Sequence, residues 1–252
     1  MSHNQQDFFR IAEMYDLLAN YNKYVNPTKY IAYYQQHLHY MNLASQAMRS
    51  LEIFEQQQRF AAQQARVRFV HGSFNTSNVD IYINGIRVLK DFSIKDHSSY
   101  LALSAGKHQV DIYPAGNMVS TILSRKILIE QGKGYTFIFS GDTKKLKWLA
   151  VEDDLFVSNR ETKVRVIHLA HDTPTLDIAV KDREILFPHL SYRQHSSYLR
   201  LSPMTVNLEA RIAGSNEIVL SLPQTQLNPN KNYSIIIIGS IKDEPKLEAL
   251  II

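Results

Sequence analysis

Cysteine is absent from the 252-residue chain. That excludes disulfide staples, thiol nucleophiles and Cys-ligated zinc. No apolar run approaches the ~20 residues needed to span a bilayer, which excludes a helical membrane protein. The opening residues Met1-Ser2-His3-Asn4-Gln5-Gln6-Asp7 lack the basic and then apolar pattern of a secretory signal. The expectation is therefore a chain made without such a signal, cytoplasmic or associated with a spore or cell surface. Catalytic signatures are missing as well: there is no G-x-S-x-G, no H-E-x-x-H and no P-loop. No enzymatic activity, cofactor or metal is expected. The charge excess is small and basic, 28 Lys and Arg against 24 Asp and Glu, a formal net of +4. The densest basic cluster, Lys144-Lys145 with Lys147, is too brief for the basic face of a nucleic-acid reader and reads as a solvated loop.

Glycine and proline are scarce in one part only. All nine glycines lie at or after Gly72, and Pro27 alone of the eight prolines precedes residue 113. Both residues are disfavoured inside helices and mark turns, so residues 1–65 are free to be helical. Phe8, Ile11, Tyr15 and Leu18 follow 3-4-3 spacing, one apolar stripe of a helix. Asn26-Pro27-Thr28 interrupts it, with Thr28 the expected N-cap, although Pro27 inside the first turn of the next helix is also tolerated. Ile31, Tyr34, Leu38, Met41 and Met48 then form a second stripe, and Leu43, Ala47, Leu51 and Phe54 a neighbouring one. A helix over 28–64 would be roughly 55 Å long. A helix of that length usually needs a partner, from its own chain or another. Two readings stay open: a hairpin packed on its own chain, or an oligomerisation and docking module carried by Phe8, Ile11, Tyr15, Leu18, Tyr34, Leu38, Met41 and Met48.

After residue 66 the chain repeats itself. Arg66–His71 returns as Lys163–His168, and Val79-Asp80-Ile81 as Leu176-Asp177-Ile178. His97-Ser98-Ser99-Tyr100-Leu101 returns identically as His195-Ser196-Ser197-Tyr198-Leu199. Ala115-Gly116-Asn117 matches Ala213-Gly214-Ser215, and the stretch from Lys133 to Gly141 matches Lys231 to Gly239. Matches in one order at a nearly constant offset of 97 or 98 identify two copies of one unit. Alternation at Val67 and Phe69, and at Val79, Ile81 and Ile83, indicates half-buried strands. Phe137-Ile138-Phe139 and Ile235–Ile238 are continuous apolar runs, suited to central strands covered on both faces. Seven or eight short strands per copy, separated by turns such as Asn84-Gly85, predict an immunoglobulin-like or transthyretin-like β-sandwich. The expected organisation is a helical segment over 1–65, one sandwich over 66–157 and a second over 163–252. The fold class is then mainly β with an α-helical N-terminal segment.

The segments Val67–His71, Val79–Gly85, Tyr100–Gly106 and Lys133–Thr136 resemble the bacterial domain-of-unknown-function 4397 family, DUF4397, in two copies. The resemblance implies tandem β-sandwiches of bacterial surface or secreted proteins, with no activity that defines the family. The family's small-Pro-Asp-small-Pro loop loses both prolines in Gly72–Asn78, whereas Leu169–Pro174 keeps Asp172 and Pro174. A ligand held there would meet the two copies differently.

His71, Asp80 and Tyr100, with their counterparts His168, Asp177 and Tyr198, are the repeated polar positions. A His–Asp pair orients an imidazole for base catalysis, and a His with a carboxylate binds zinc. Recurrence in both copies favours a fold requirement instead: His at a strand end, Asp bonding loop amides, Tyr bonding nearby backbone as in a tyrosine corner. Trp148 reads as core or rim, and Asp153-Asp154 as a solvated turn. The leading functional reading is a non-enzymatic structural or interaction protein, its helices giving a homo-oligomer or a protein partner. The alternative is a carbohydrate or cell-wall-polymer binding module using Phe74, Tyr113, Tyr192 and Asp172 in loops.

Overall fold

The structure, a computed structural model, describes residues 3–142 and 146–252, with side chains described except at 3–5, 57–63, 74, 75 and 142. The chain divides into two compact units, 1–63 and 64–252. Among the described residues no helix is long and apolar enough to cross a membrane.

The first unit is a pair of helices, α1 (His3–Asn22) and α2 (Pro27–Gln63). The cap of α2 is Asn26 rather than Thr28. The Lys29 amide donates to Asn26 Oδ1 at 3.1 Å, and the Tyr30 amide to the Asn26 carbonyl at 3.0 Å. Pro27 then occupies the first helical position, where its missing N–H was an orphan in any case. Phe8 packs against Tyr40 and Tyr15 against Tyr33, so the helices run antiparallel. Ala12, Ala19 and Ala44 are buried between them, and His37 Nδ1 lies 3.0 Å from the Ala12 carbonyl. The packed face of α2 is thus Tyr33, His37, Tyr40 and Ala44, one residue out of step with the expected stripe.

Among the described residues the second unit has sixteen strands in four sheets. In the first repeat β1 (Gln64–Asn75), β4 (Leu101–Ser104), β7 (Gly134–Asp142) and β8 (Lys147–Asp153) form a sheet of order β4-β1-β7-β8. Facing it is β3-β2-β5-β6, from β2 (Val79–Ile83), β3 (Ile86–Phe92), β5 (Gly106–Pro114) and β6 (Leu123–Ile129). The second repeat has the same two sheets with every strand number raised by eight. One is β12-β9-β15-β16, from β9 (Thr162–His168), β12 (Leu199–Leu201), β15 (Lys231–Ile238) and β16 (Glu248–Ile251). The other is β11-β10-β13-β14, from β10 (Leu176–Val180), β11 (Ile185–Leu190), β13 (Met204–Ile212) and β14 (Ile218–Leu227). In each repeat the two long central strands, β1 with β7 and β9 with β15, are parallel. The fold is mainly β, two helices followed by two sandwich-like pairs of sheets.

Period-two alternation decides what faces where. Val67, Phe69, Ile81, Ile112, Phe137 and Phe139 fill the first sandwich, and Val164, Val166, Ile178, Leu208, Ile235 and Ile237 the second. The intervening residues of the same strands form a third apolar cluster, in which Val70, Ile138 and Val151 of the first repeat meet Ile167, Leu169, Ile236 and Ile238 of the second. This is why Phe137–Phe139 and Ile235–Ile238 are apolar without alternation. Fully burying a side chain of this kind is worth about 1.5–3 kcal/mol, so the junction locks the repeats together.

Candidate functional site

The repeated motif residues serve the fold, and each has a definable task. Asp80 Oδ1 accepts the Asp91 amide at 2.8 Å and Oδ2 the Gly116 amide at 3.3 Å. Asp177 does the same with the His189 amide at 2.7 Å and the Gly214 amide at 3.2 Å. Asp91 and His189 are equivalent positions with φ of 50° and 53°, and each lies opposite a register shift in its hairpin. The two carboxylates thus clamp a β-bulge whose central residue is left-handed. Burial pushes the Asp80 carboxyl up, but the amides of Asp91 and Gly116 and the Arg87 guanidinium outweigh it and hold it below its usual range.

Ser98 Oγ accepts the Phe69 amide at 2.9 Å while the Ser98 amide donates back to the Phe69 carbonyl at 2.9 Å. Ser196 repeats this with Val166 at 2.9 and 2.8 Å. The first serine of the His-Ser-Ser-Tyr-Leu repeat therefore stitches its loop to the first strand. His71 and His168 are fully buried, and burial lowers both imidazoles, His71 to about 4. Neither histidine pairs with the Asp of its repeat. His71 faces the hydroxyls of Ser73 at 3.0 Å and Thr76 at 3.3 Å. His168 accepts the Ala170 amide on Nδ1 at 3.3 Å, which leaves Nε2–H to donate to the Pro174 carbonyl at 3.2 Å. No group of three or more metal-ligating side chains occurs among the described residues.

Tyr100 and Tyr198 overturn the tyrosine-corner expectation. The Tyr100 hydroxyl donates to Asp153 Oδ2 at 2.6 Å, whereas the Tyr198 phenol is raised by burial and lowered by the nearby Arg165 guanidinium and the Ser234 side chain. Both rings support guanidinium groups, Arg68 at 4.8 Å and Arg165 at 4.7 Å from the ring centres. They belong to a buried polar cluster between the repeats. Arg165 pairs with Asp153 Oδ1 through Nη2, and its Nε donates to Ser234 Oγ at 2.9 Å. Arg68 Nε donates to Thr136 Oγ1 at 2.8 Å, and Thr136 donates in turn to Asp153 Oδ2 at 2.7 Å. Asp154 pairs with the buried Lys163. Asp153 is thus the buried counter-charge of the junction and not part of a solvated turn, whereas Asp154 stays exposed beside Lys163.

The loop candidates do not converge. The side chain of Phe74 lies outside the described residues, as do Lys144 and Lys145. Tyr113 is half-buried, edge-on to Tyr82 at 5.3 Å. Tyr192 sits beneath Lys147 Nζ at 5.1 Å and edge-on to His168. Asp172 is engaged by its own chain: it accepts from Ser240 Oγ at 2.6 Å and from the amides of Ile241 and Lys242 at 3.2 and 3.1 Å. Burial raises its carboxyl, but these bonds prevail and hold it at about 2. Trp148 stacks on Phe137 at 4.9 Å and belongs to the first core. A cleft of about 660 Å³ opens beside the β10–β11 turn, with Val206 and Lys181 in its lining. At the equivalent positions of the first repeat His108 is buried, its ring nitrogens 2.9 Å from Asn84 Nδ2 and 2.8 Å from the Ser104 carbonyl.

The helical candidates separate into two groups. Phe8, Ile11 and Tyr15 are partly buried within the hairpin. Leu18, Ile31, Tyr34, Leu38, Met41 and Met48 are exposed, the five on α2 by 37–55%. Met14, Leu17 and Tyr21 on α1 are exposed as well. Sequence reasoning missed the inner face of α2, because His37 and the tyrosines look amphipathic and Ala44 looks neutral. It also missed Arg68 and Arg165, although an arginine at the same place in two otherwise apolar strands was a usable signal.

A family model described as a domain of unknown function, DUF4397, matches residues 65–179 and 162–252. No curated protein matches the chain. Among solved structures the chain is similar to the Bacillus anthracis TIE protein at 10% identity and a TM-score of 0.23, over 71% of this chain and 34% of that one. It thus spans about a third of that protein. It is also similar to a candidate cell adhesion protein from Bacteroides uniformis at 11% identity and a TM-score of 0.22, over 75% of this chain and 97% of that one.

Proposed function

The chain belongs to the DUF4397 family, and we propose that it is a non-enzymatic interaction protein of a bacterial cell or spore surface. In this reading the α1–α2 hairpin is an assembly module, and the two locked repeats form a rigid presenting unit. The observation that carries it is the exposed apolar stripe Ile31, Tyr34, Leu38, Met41 and Met48 on α2. Contiguous apolar surface on a soluble chain marks an interaction site far more often than scattered single residues do. The junction supports the second half: apolar packing and a buried ion-paired cluster both oppose independent motion of the repeats.

Light scattering on the full chain over a range of concentrations tests the reading. The expected molar mass is a multiple of 29.0 kDa that falls toward 29.0 kDa on dilution. A mass of 29.0 kDa at every concentration overturns the assembly module.

A further inference from the structure

We propose that the exposed stripe of α2 is the seam of a homodimer, in which α2 of one copy lies antiparallel on α2 of a second copy about a two-fold axis beside His39 and Tyr40. The inference rests on the assembly reading above and names its partner.

Spacing is the first argument. Positions 31, 34, 38, 41, 45 and 48 follow a 3-4-3-4-3 pattern, the a and d sites of a heptad seam, filled by Ile, Tyr, Leu, Met, Ser and Met. The face already packed on α1, Tyr33, His37, Tyr40 and Ala44, lies one residue back at each step. At 3.6 residues per turn the two faces are about 100° apart on the helix. A helix with two seams near a right angle is built as in a four-helix bundle, where each helix touches two neighbours. One neighbour, α1, is present in the chain.

Charge identifies the other neighbour. Residues 30–48 contain no Asp, Glu, Lys or Arg, although the face is exposed. The core of an interface is depleted of charge in this way, whereas a solvated helix face is not. The next seam position after Met48 is Glu52. A parallel, in-register pair sets Glu52 against its own copy, a like-charge contact inside the seam. The antiparallel pair carries Glu52 to the α1–α2 turn of the second copy, where Lys23 and Lys29 flank the chain. In the same register Ile31 faces Met48, Leu38 faces Met41, and the Tyr34 hydroxyl comes opposite Ser45. The stripe is therefore complementary to its own reverse, as a two-fold interface requires.

The absence of native cysteine makes orientation directly testable in the full chain. Under mild oxidation the double variant Leu38→Cys/Met41→Cys is expected to give a covalent dimer, and neither single variant to do so. Leu38→Glu/Met41→Glu is expected to halve the molar mass seen by light scattering, with helix content by circular dichroism unchanged because both side chains are already exposed. Cross-linking of either single variant overturns the antiparallel arrangement and leaves the assembly reading standing. An oligomer untouched by the glutamates overturns the seam and leaves assembly through another surface. A monomeric wild-type chain overturns both readings together.

Discussion

The two repeats share a backbone and differ in what occupies it, and the difference separates frame from site. The bulge clamps Asp80 and Asp177, the stitches Ser98 and Ser196 and the arginine-bearing rings Tyr100 and Tyr198 make the same contacts in both copies, and so belong to the frame. The surroundings of His71 and His168 do not recur: hydroxyls of Ser73 and Thr76 in one copy, backbone of Ala170 and Pro174 in the other. Nor does the sandwich mouth, crossed by His108 in the first repeat and lined by Val206 in the second. The counter-charge is unequal too, since Asp153 of the first repeat answers an arginine from each. A duplicated frame has thus been made asymmetric at its junction, which turns two sandwiches into one body.

Removing that asymmetry gives the largest expected effect. Asp153→Ala leaves the Arg68 and Arg165 guanidiniums buried without a carboxylate. Breaking a buried pair from one side costs about 3–5 kcal/mol, because the remaining charge stays desolvated. Urea unfolding of the full chain measures it. A loss below about 1 kcal/mol would mean that water or another carboxylate reaches the arginines.

Acid distinguishes the histidines from the carboxylates. Burial holds the His71 imidazole at about 4, against 6.5 in the unfolded chain. The unfolded state therefore takes up the proton first as pH falls. The contribution is complete above pH 6.5 and is lost between 6.5 and about 4, amounting to about 3 kcal/mol. His168 is lowered by burial in the same sense. Asp80 and Asp172 sit below their ordinary range, so their contributions disappear only under about pH 4. Unfolding midpoints of the wild type and of His71→Gln between pH 7 and 4.5 test this. The variant should show the shallower slope, and parallel slopes would remove His71 from the acid response.

The elements were legible where one period dominated. Alternation and the exact recurrence of His-Ser-Ser-Tyr-Leu locate the strands and the duplication without coordinates. The break at Asn26-Pro27 likewise locates the helix start to within two residues, missing only which residue caps it. What stayed hidden was pairing across the duplication. A strand pattern says that Arg68 and Arg165 leave the sandwich core, not that the far side is a second sheet instead of water. The same limit applies to α2, where two stripes a residue apart are equally periodic and only the position of α1 decides which is inner. Asp172 read as a ligand position because a retained Asp in a variable loop looks functional. Its partners Ser240, Ile241 and Lys242 lie roughly seventy residues away and no spacing announces them.

The smallest effect discriminates most sharply between the copies. Tyr100 and Tyr198 stand in identical pentapeptides, so a tyrosine corner predicts equal losses on removing either hydroxyl. The structure predicts unequal ones. Tyr100→Phe deletes a hydrogen bond to the charged Asp153, whereas Tyr198→Phe removes at most the influence of the neutral Ser234 side chain. Bonds to charged groups contribute about 1.5–3 kcal/mol and neutral ones about 0.5–1.5 kcal/mol. Tyr100 is 36% exposed, and solvent screening reduces its share to about 1–2 kcal/mol. Both variants keep the ring beneath its guanidinium, so the cation–π contact cancels in the comparison. Unfolding free energies for the two variants should therefore differ by about 0.5 kcal/mol, with Tyr100→Phe the less stable. Equal losses would mean that both hydroxyls serve the frame alone. The asymmetry would then reside wholly in Asp153 and its two arginines.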